Sequence, residues 1–136
     1  MSRLHGSEYC ILALHTHADL DGRAKKIEVF IRSVFLQGLG FKDPSELSTH
    51  FEKIKNKVAD IRKLSENLDV PLASIFLNFA VLNEYVDKVV VGIDSIENFR
   101  ELLDSSNYLH KVNPIMTELI SFREVDEKII LPVNWR

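Results

Sequence analysis

Two short stretches hold the residue types that could do chemistry. The first is Gly92-Ile93-Asp94-Ser95-Ile96-Glu97-Asn98, which closes the valine run Lys88 to Gly92 (KVVVG). A glycine ends an extended segment, and Ser95 can cap a helix that starts immediately after it. The N–H groups of a first helical turn lack partners within the helix. Together with the positive end of the helix dipole, they favour an anion such as a phosphate. Most joints of this kind bind nothing and only cap the helix. Asp94 narrows the choice of ligand, because its carboxylate can accept hydrogen bonds from a ribose diol but repels a phosphate. Its alternative role is simply to favour the helix dipole. The second stretch is Ser33 to Gly40 (SVFLQGLG), where a strand-like segment runs into two glycines that permit positive φ. In α/β folds ligands bind at the carboxyl ends of strands, so both stretches are candidates.

Other residues carry less. His15 and His17 would face one side of a strand, and with Asp19 or Asp21 they make a loose ligand set. Short H-x-H runs are common in N-terminal segments, and no metal site is assigned. Cys10 sits in an apolar run and reads as a small buried residue. The chain has no G-x-S-x-G, P-loop, H-E-x-x-H or G-x-G-x-x-G motif. Trp135 reads as a packing anchor.

The elements that must position these residues alternate between strand and helix. Tyr9 to His15 (YCILALH) is a candidate buried strand, and Ile27 to Phe35 (IEVFIRSVF) is a strand rich in β-branched and aromatic residues. Asp43-Pro44-Ser45-Glu46 supplies an N-cap, a proline at the first helical position and a glutamate three after the cap. Leu47, Phe51, Ile54, Val58, Ile61, Leu64 and Leu68 then follow at spacings of three and four, predicting a helix over 46–67. This helix packs on a sheet or, as the alternative, forms a coiled-coil arm. A second helix from Leu72 to Leu82 is apolar almost all round and should be buried. The valines up to Gly92 fit a parallel strand. A third helix follows Ser95, with Ile96, Phe99, Leu102 and Leu103 on one side. Ile115 to Phe122 is a short amphipathic piece, and the tail Ile129 to Trp135 reads as extended and apolar. Strand, helix pair, strand and helix are the order of βα units in a parallel sheet.

The whole-chain quantities set bounds. Lys and Arg number 17 against 20 Asp and Glu, a net charge of −3, which gives no electrostatic reason to expect nucleic acid or an acidic membrane as partner. Apolar residues at 46% and charged residues at 27% exclude a disordered chain. The single cysteine excludes an internal disulfide and a thiolate zinc cluster. No apolar stretch approaches the roughly 20 residues that span a bilayer. A cytoplasmic protein is expected.

Four segments, in this order and at these separations, resemble the C-terminal part of an aldo-keto reductase: Ile27 to Leu39, Val70 to Phe79, Val86 to Phe99 and Asp126 to Trp135. The resemblance covers residues 19–135 and is best over 27–104. Residues 1–18 read as a remnant or an unrelated start, and 1–136 as one partial domain. The resemblance implies part of a (β/α)8 barrel, α/β in class, that binds NAD or NADP at the carboxyl end of its strands. The strand ending at Ser33 would be the seventh and Val89 to Gly92 the eighth, with paired helices 46–67 and 71–84 between them. By the same resemblance the nicotinamide and pyrophosphate would lie along Arg32, Ser33, Phe35, Gln37 and Gly38. The adenosine end would meet Gly92, Asp94, Ser95, Asn98 and Glu101. Arg32 stands where the family often has a tyrosine stacked on the nicotinamide, and Leu102 where it often has an asparagine. Many members carry a basic residue at the place of Asp94, so the reversed charge favours NAD over NADP.

Family catalysis uses an aspartate, tyrosine, lysine and histidine from the first half of the barrel, with the tyrosine as general acid. None of those motifs is in this chain, so no catalytic residue is assigned and the chain alone is expected not to reduce carbonyls. A closed barrel of this type needs about 250 residues. The other expectation is a non-catalytic truncated protein or interaction module. It would associate through an exposed half-barrel surface, with itself or with a separate N-terminal half.

Overall fold

A computed structural model describes residues 9–10, 13–14, 28 and 30–135. Among these residues the chain is mostly helical, with small pieces of sheet. Strands β1 (Tyr9–Cys10) and β2 (Ala13–Leu14) pair antiparallel. The single strand expected over 9–15 is therefore two short ones. His15, His17, Asp19 and Asp21 lie outside the described residues.

β3 (Phe30–Ile31) and β4 (Lys88–Val89) pair in parallel, with Phe30 opposite Lys88 and Ile31 opposite Val89. The Val90 N–H extends the ladder by donating to the Ile31 carbonyl at 2.8 Å. Parallel neighbours need a crossover. It is made here by helices α1 (Lys55–Leu68) and α2 (Leu72–Val81). The α/β alternation read from the sequence holds at this level. Both strands end sooner than expected: β3 stops before Ser33, where the chain turns at φ 62°, and β4 stops at Val89.

The helix expected over 46–67 is broken. The Asp43 carboxylate accepts the Ser45 N–H at 2.8 Å, but it caps only a short 3-10 turn, Pro44–Glu46. Leu47 and Ser48 are then extended, a second 3-10 turn covers Thr49–Ile54, and the α-helix begins at Lys55. The apolar stripe survives the break: Leu47, Ile54, Val58 and Ile61 are buried. Leu47 leaves the helical path and still reaches the core.

Helix α2 is buried as its composition demands. Ile75, Phe76, Phe79 and Ala80 lie in the core with Ile31, Val34, Leu36 and Leu39. Each fully buried side chain of this size contributes about 1.5–3 kcal/mol over leaving it exposed. Two polar residues share that helix, and both are satisfied. The Ser74 and Ser105 hydroxyls are 3.0 Å apart, and the Asn78 side-chain amide donates to the Ser105 carbonyl at 2.7 Å. These bonds fix α2 against the end of α3 (Ile96–Asp104).

Helices α4 (Leu109–Val112), α5 (Met116–Ser121) and α6 (Glu127–Ile130) complete the chain. The tail is not extended: it forms α6, capped by Asp126, and a 3-10 turn at Pro132–Asn134. Trp135 does act as an anchor. Its ring meets Phe51 edge to face at 5.0 Å, and its N–H donates to the Ile129 carbonyl at 2.7 Å.

Beneath the tail, Glu124 is buried at 4% exposure and takes Lys53 at 3.0 Å and Lys57 at 3.1 Å. It also accepts the N–H groups of Val125 and Asp126. Burial pushes the Glu124 carboxyl upward. The bonds from Lys53, from the two backbone N–H groups and from Lys57 outweigh this and hold it at about 2.

Candidate cofactor cleft

The loop after β3 is folded by its own backbone. The Leu36 N–H donates to the Ser33 carbonyl and the Gly38 N–H to the Phe35 carbonyl, each at 2.9 Å. Positive φ falls on Ser33, Leu36 and Gln37 as well as on Gly38. Non-glycine residues pay a steric cost there, and such conformations persist only where the surroundings impose them. Buried Leu36 and Leu39 anchor the loop from below. Gly40 is needed for close approach: a Cβ there would lie 2.7 Å from Phe76 Cε2 and closer still to Cζ.

The loop after β4 leads into α3. Ser95 is extended, and its hydroxyl accepts the Asn98 N–H at 3.0 Å, the cap that its position predicts. Asp94 and Glu101 are exposed and Asn98 is half-buried.

The two loops meet in an open cleft of about 630 Å³. It is lined by Phe35, Gly38 and Phe41 on one side, by Gly92, Ile93, Asp94, Asn98 and Glu101 on the other, and by Ala73 between. Six of the ten residues expected at a cofactor site line it: Phe35, Gly38, Gly92, Asp94, Asn98 and Glu101. Four stand apart. Arg32 and Gln37 are exposed, Ser33 is half-buried in the loop turn, and Ser95 is spent on its cap.

The sequence reading missed Phe41 and Ala73, and it placed Ile93 in a candidate stretch without giving it a role. Ala73 could not have been found, because it comes from α2, far along the chain from both loops. Phe41 carried a signal in its place directly after the glycine turn, where an aromatic side chain has no strand or helix face to fill.

The chemistry of the wall is one-sided. Its charged side chains are both carboxylates, Asp94 and Glu101, and no Lys or Arg among the described residues lines it. The Asn98 side-chain oxygen is buried without a hydrogen-bond partner among the described residues. An unpaired buried acceptor costs about 1–3 kcal/mol. The α3 N-terminus contributes the equivalent of about half a positive charge. Two full negative charges outweigh it, so the cleft suits hydroxyl and amine donors better than a phosphate. Among the described residues no group of three or more His, Cys, Asp or Glu is placed to hold a metal ion. No described helix is long and apolar enough to cross a membrane. Comparison with protein-family models, with curated proteins and with solved structures returned no match.

Proposed function

We propose that this chain is the cofactor-binding portion of an aldo-keto reductase-like NAD(P)H-dependent oxidoreductase acting on a carbonyl/alcohol pair. On this reading the chain belongs to the C-terminal part of a (β/α)8 barrel and lacks the catalytic tetrad. The observation that carries it is the meeting of the two loops. Residues expected from opposite ends of an extended dinucleotide, Phe35 and Gly38 against Gly92, Asp94, Asn98 and Glu101, line one cleft. The parallel pairing of β3 with β4 through a two-helix crossover supports the same reading.

The residues present fit the nucleoside end of such a cofactor. Asp94 and Glu101 would accept ribose hydroxyls or a base N–H, and the aromatic wall would take a flat ring. Among the described residues no lining cation offers itself to a 2′-phosphate, which favours NAD over NADP. The bound cofactor would supply hydride, and this chain's part is to hold and orient it. Calorimetric titration tests the reading: NADH binds more tightly than NADPH, and the pure chain shows no carbonyl-dependent NADH oxidation. The reverse nucleotide order, or turnover by the chain alone, refutes it.

A second reading is favoured by the apolar surface. Val90, directly after β4, is 54% exposed, and Ile93, Ile96, Phe99 and Leu103 are large apolar side chains that are also exposed. Parallel sheets are ordinarily covered on both faces. On this reading the chain is a non-catalytic module that associates, with itself or with a separate N-terminal half. Light scattering that returns a monomer at high protein concentration refutes the self-association arm.

A further inference from the structure

We infer that Phe41 is an aromatic platform on which the planar ring of a ligand in the cleft stacks, and that Arg62 is the latch holding this platform in position. The inference rests on the cleft being a nucleotide site, and it names residues that neither the motifs nor the resemblance pointed to.

Phe41 is a large apolar side chain left 40% exposed in the cleft wall. An exposed phenylalanine commonly adds little order to a fold, but this one is held from three sides. Phe35 packs against it with ring centroids at 5.4 Å, and Phe76 meets it nearly edge to face at 5.7 Å. The third hold is on the backbone. Arg62, about two turns into α1, donates from a single Nη2 to the carbonyls of Phe41 at 2.8 Å and Lys42 at 3.0 Å. The contact joins residues 21 positions apart, so it ties the loop to the helix that crosses over to β4. The Arg62 Nε is buried without a partner among the described residues. The side chain therefore reaches the loop carbonyls at the cost of one unmade hydrogen bond of its own.

A rigid aromatic face in a cleft binds flat rings without losing side-chain freedom on association. Across the cleft the charged side chains are acceptors, the carboxylates of Asp94 and Glu101. A flat ring with an N–H edge and hydroxyl substituents matches both walls at once. That chemistry is a nucleobase carrying its ribose, not a bare phosphate or an aliphatic acid.

The test titrates NADH and, separately, adenosine into the wild-type chain and four variants: Phe41→Leu, Phe41→Tyr, Arg62→Met and Arg62→Lys. Urea midpoints are measured alongside. Stacking on one ring predicts that Phe41→Leu weakens binding by ~10-fold or more. Phe41→Tyr retains it. Arg62→Met weakens binding beyond what its midpoint shift explains, and Arg62→Lys recovers part of the loss, because an ammonium can still reach one carbonyl. Equal NADH affinity for wild type and Phe41→Leu overturns the platform and leaves the cofactor reading standing. Adenosine binding that depends on Phe41, with no NADH binding, keeps the platform and overturns the cofactor reading. Failure of both ligands to bind the wild type overturns both. An Arg62→Met variant that loses stability but keeps wild-type affinity removes the latch.

Discussion

The Phe76 ring occupies the space where a side chain on Gly40 would begin, its Cε2 atom 2.7 Å from that point. The same ring meets Phe41 edge to face, so one core residue sets both the path of the loop and one face of the cleft. Phe76 is buried at the heart of α2 and has little freedom to withdraw. Gly40→Ala therefore forces the loop or the ring to shift, an overpacking cost of about 1–3 kcal/mol. Urea denaturation should show that loss. Phe76→Leu in the same chain should return part of it, since residues in contact are coupled. Additive effects of the two substitutions would mean that the close approach is relieved elsewhere.

Glu124 makes stability depend on pH in a definite direction. Its carboxyl is held at about 2 in the folded protein, against an ordinary value of 4.5. A depressed carboxyl stabilises the fold above the unfolded value. The contribution is lost as pH falls from 4.5 toward 2, while the folded state resists protonation. With allowance for screening of the lysine partners by solvent, the contribution near neutral pH is about 2 kcal/mol. Lys53 is raised above its ordinary 10.5, chiefly by its hydrogen bond to Glu124, so its share persists below that pH and fades only in strong alkali. Glu124→Gln should cost stability at pH 7 and flatten the acid limb of the stability curve. An unchanged acid limb in the variant would assign the pH dependence to other carboxylates.

What the sequence made legible was local. The Ser95 cap, the buried α2 and the N-cap at Asp43 follow from residues within one turn of each other, and each is present. The parallel pairing of β3 with β4 was legible from composition and order. The loop conformation was not, because positive φ at Ser33, Leu36 and Gln37 is imposed by packing and has no glycine to announce it. Nor was the burial of Glu124, whose partner Lys53 stands 71 positions away. Nothing in the sequence singles out Arg62, because only the fold brings the loop carbonyls to it.

Asp69 ends α1 in the left-handed conformation at φ 51°, a place that glycine usually takes. Its N–H is used in the helix end, and Lys111 holds the carbonyls of Leu68 and Asp69 at 2.9 and 3.3 Å. The conformation is therefore enforced against the preference of the side chain. An acidic group at this end also faces the negative pole of the helix. Asp69→Gly should raise stability by about 0.5–1 kcal/mol, a gain limited by the greater freedom of glycine in the unfolded chain. Thermal unfolding checks the sign. A loss of stability would mean that the carboxylate contributes an interaction larger than the strain it carries.

On the proposed cofactor reading, Asp94 should set nucleotide preference through charge alone. It is exposed at the cleft mouth beside the start of α3, so replacing it disturbs no packing. With the aspartate present, two carboxylates face any phosphate entering there, and the helix end cannot offset them. Asp94→Lys changes the local charge by two units and leaves Glu101 balanced by the new ammonium. The ratio of NADPH to NADH affinity should then rise about tenfold, a shift of the size expected for partly screened charges. Asp94→Asn removes the repulsion without adding attraction and should fall between the two. Raising the salt concentration should compress all three ratios toward one value, because the effect is Coulombic. A ratio that ignores both the substitution and the salt would place the 2′ position of the ribose away from Asp94.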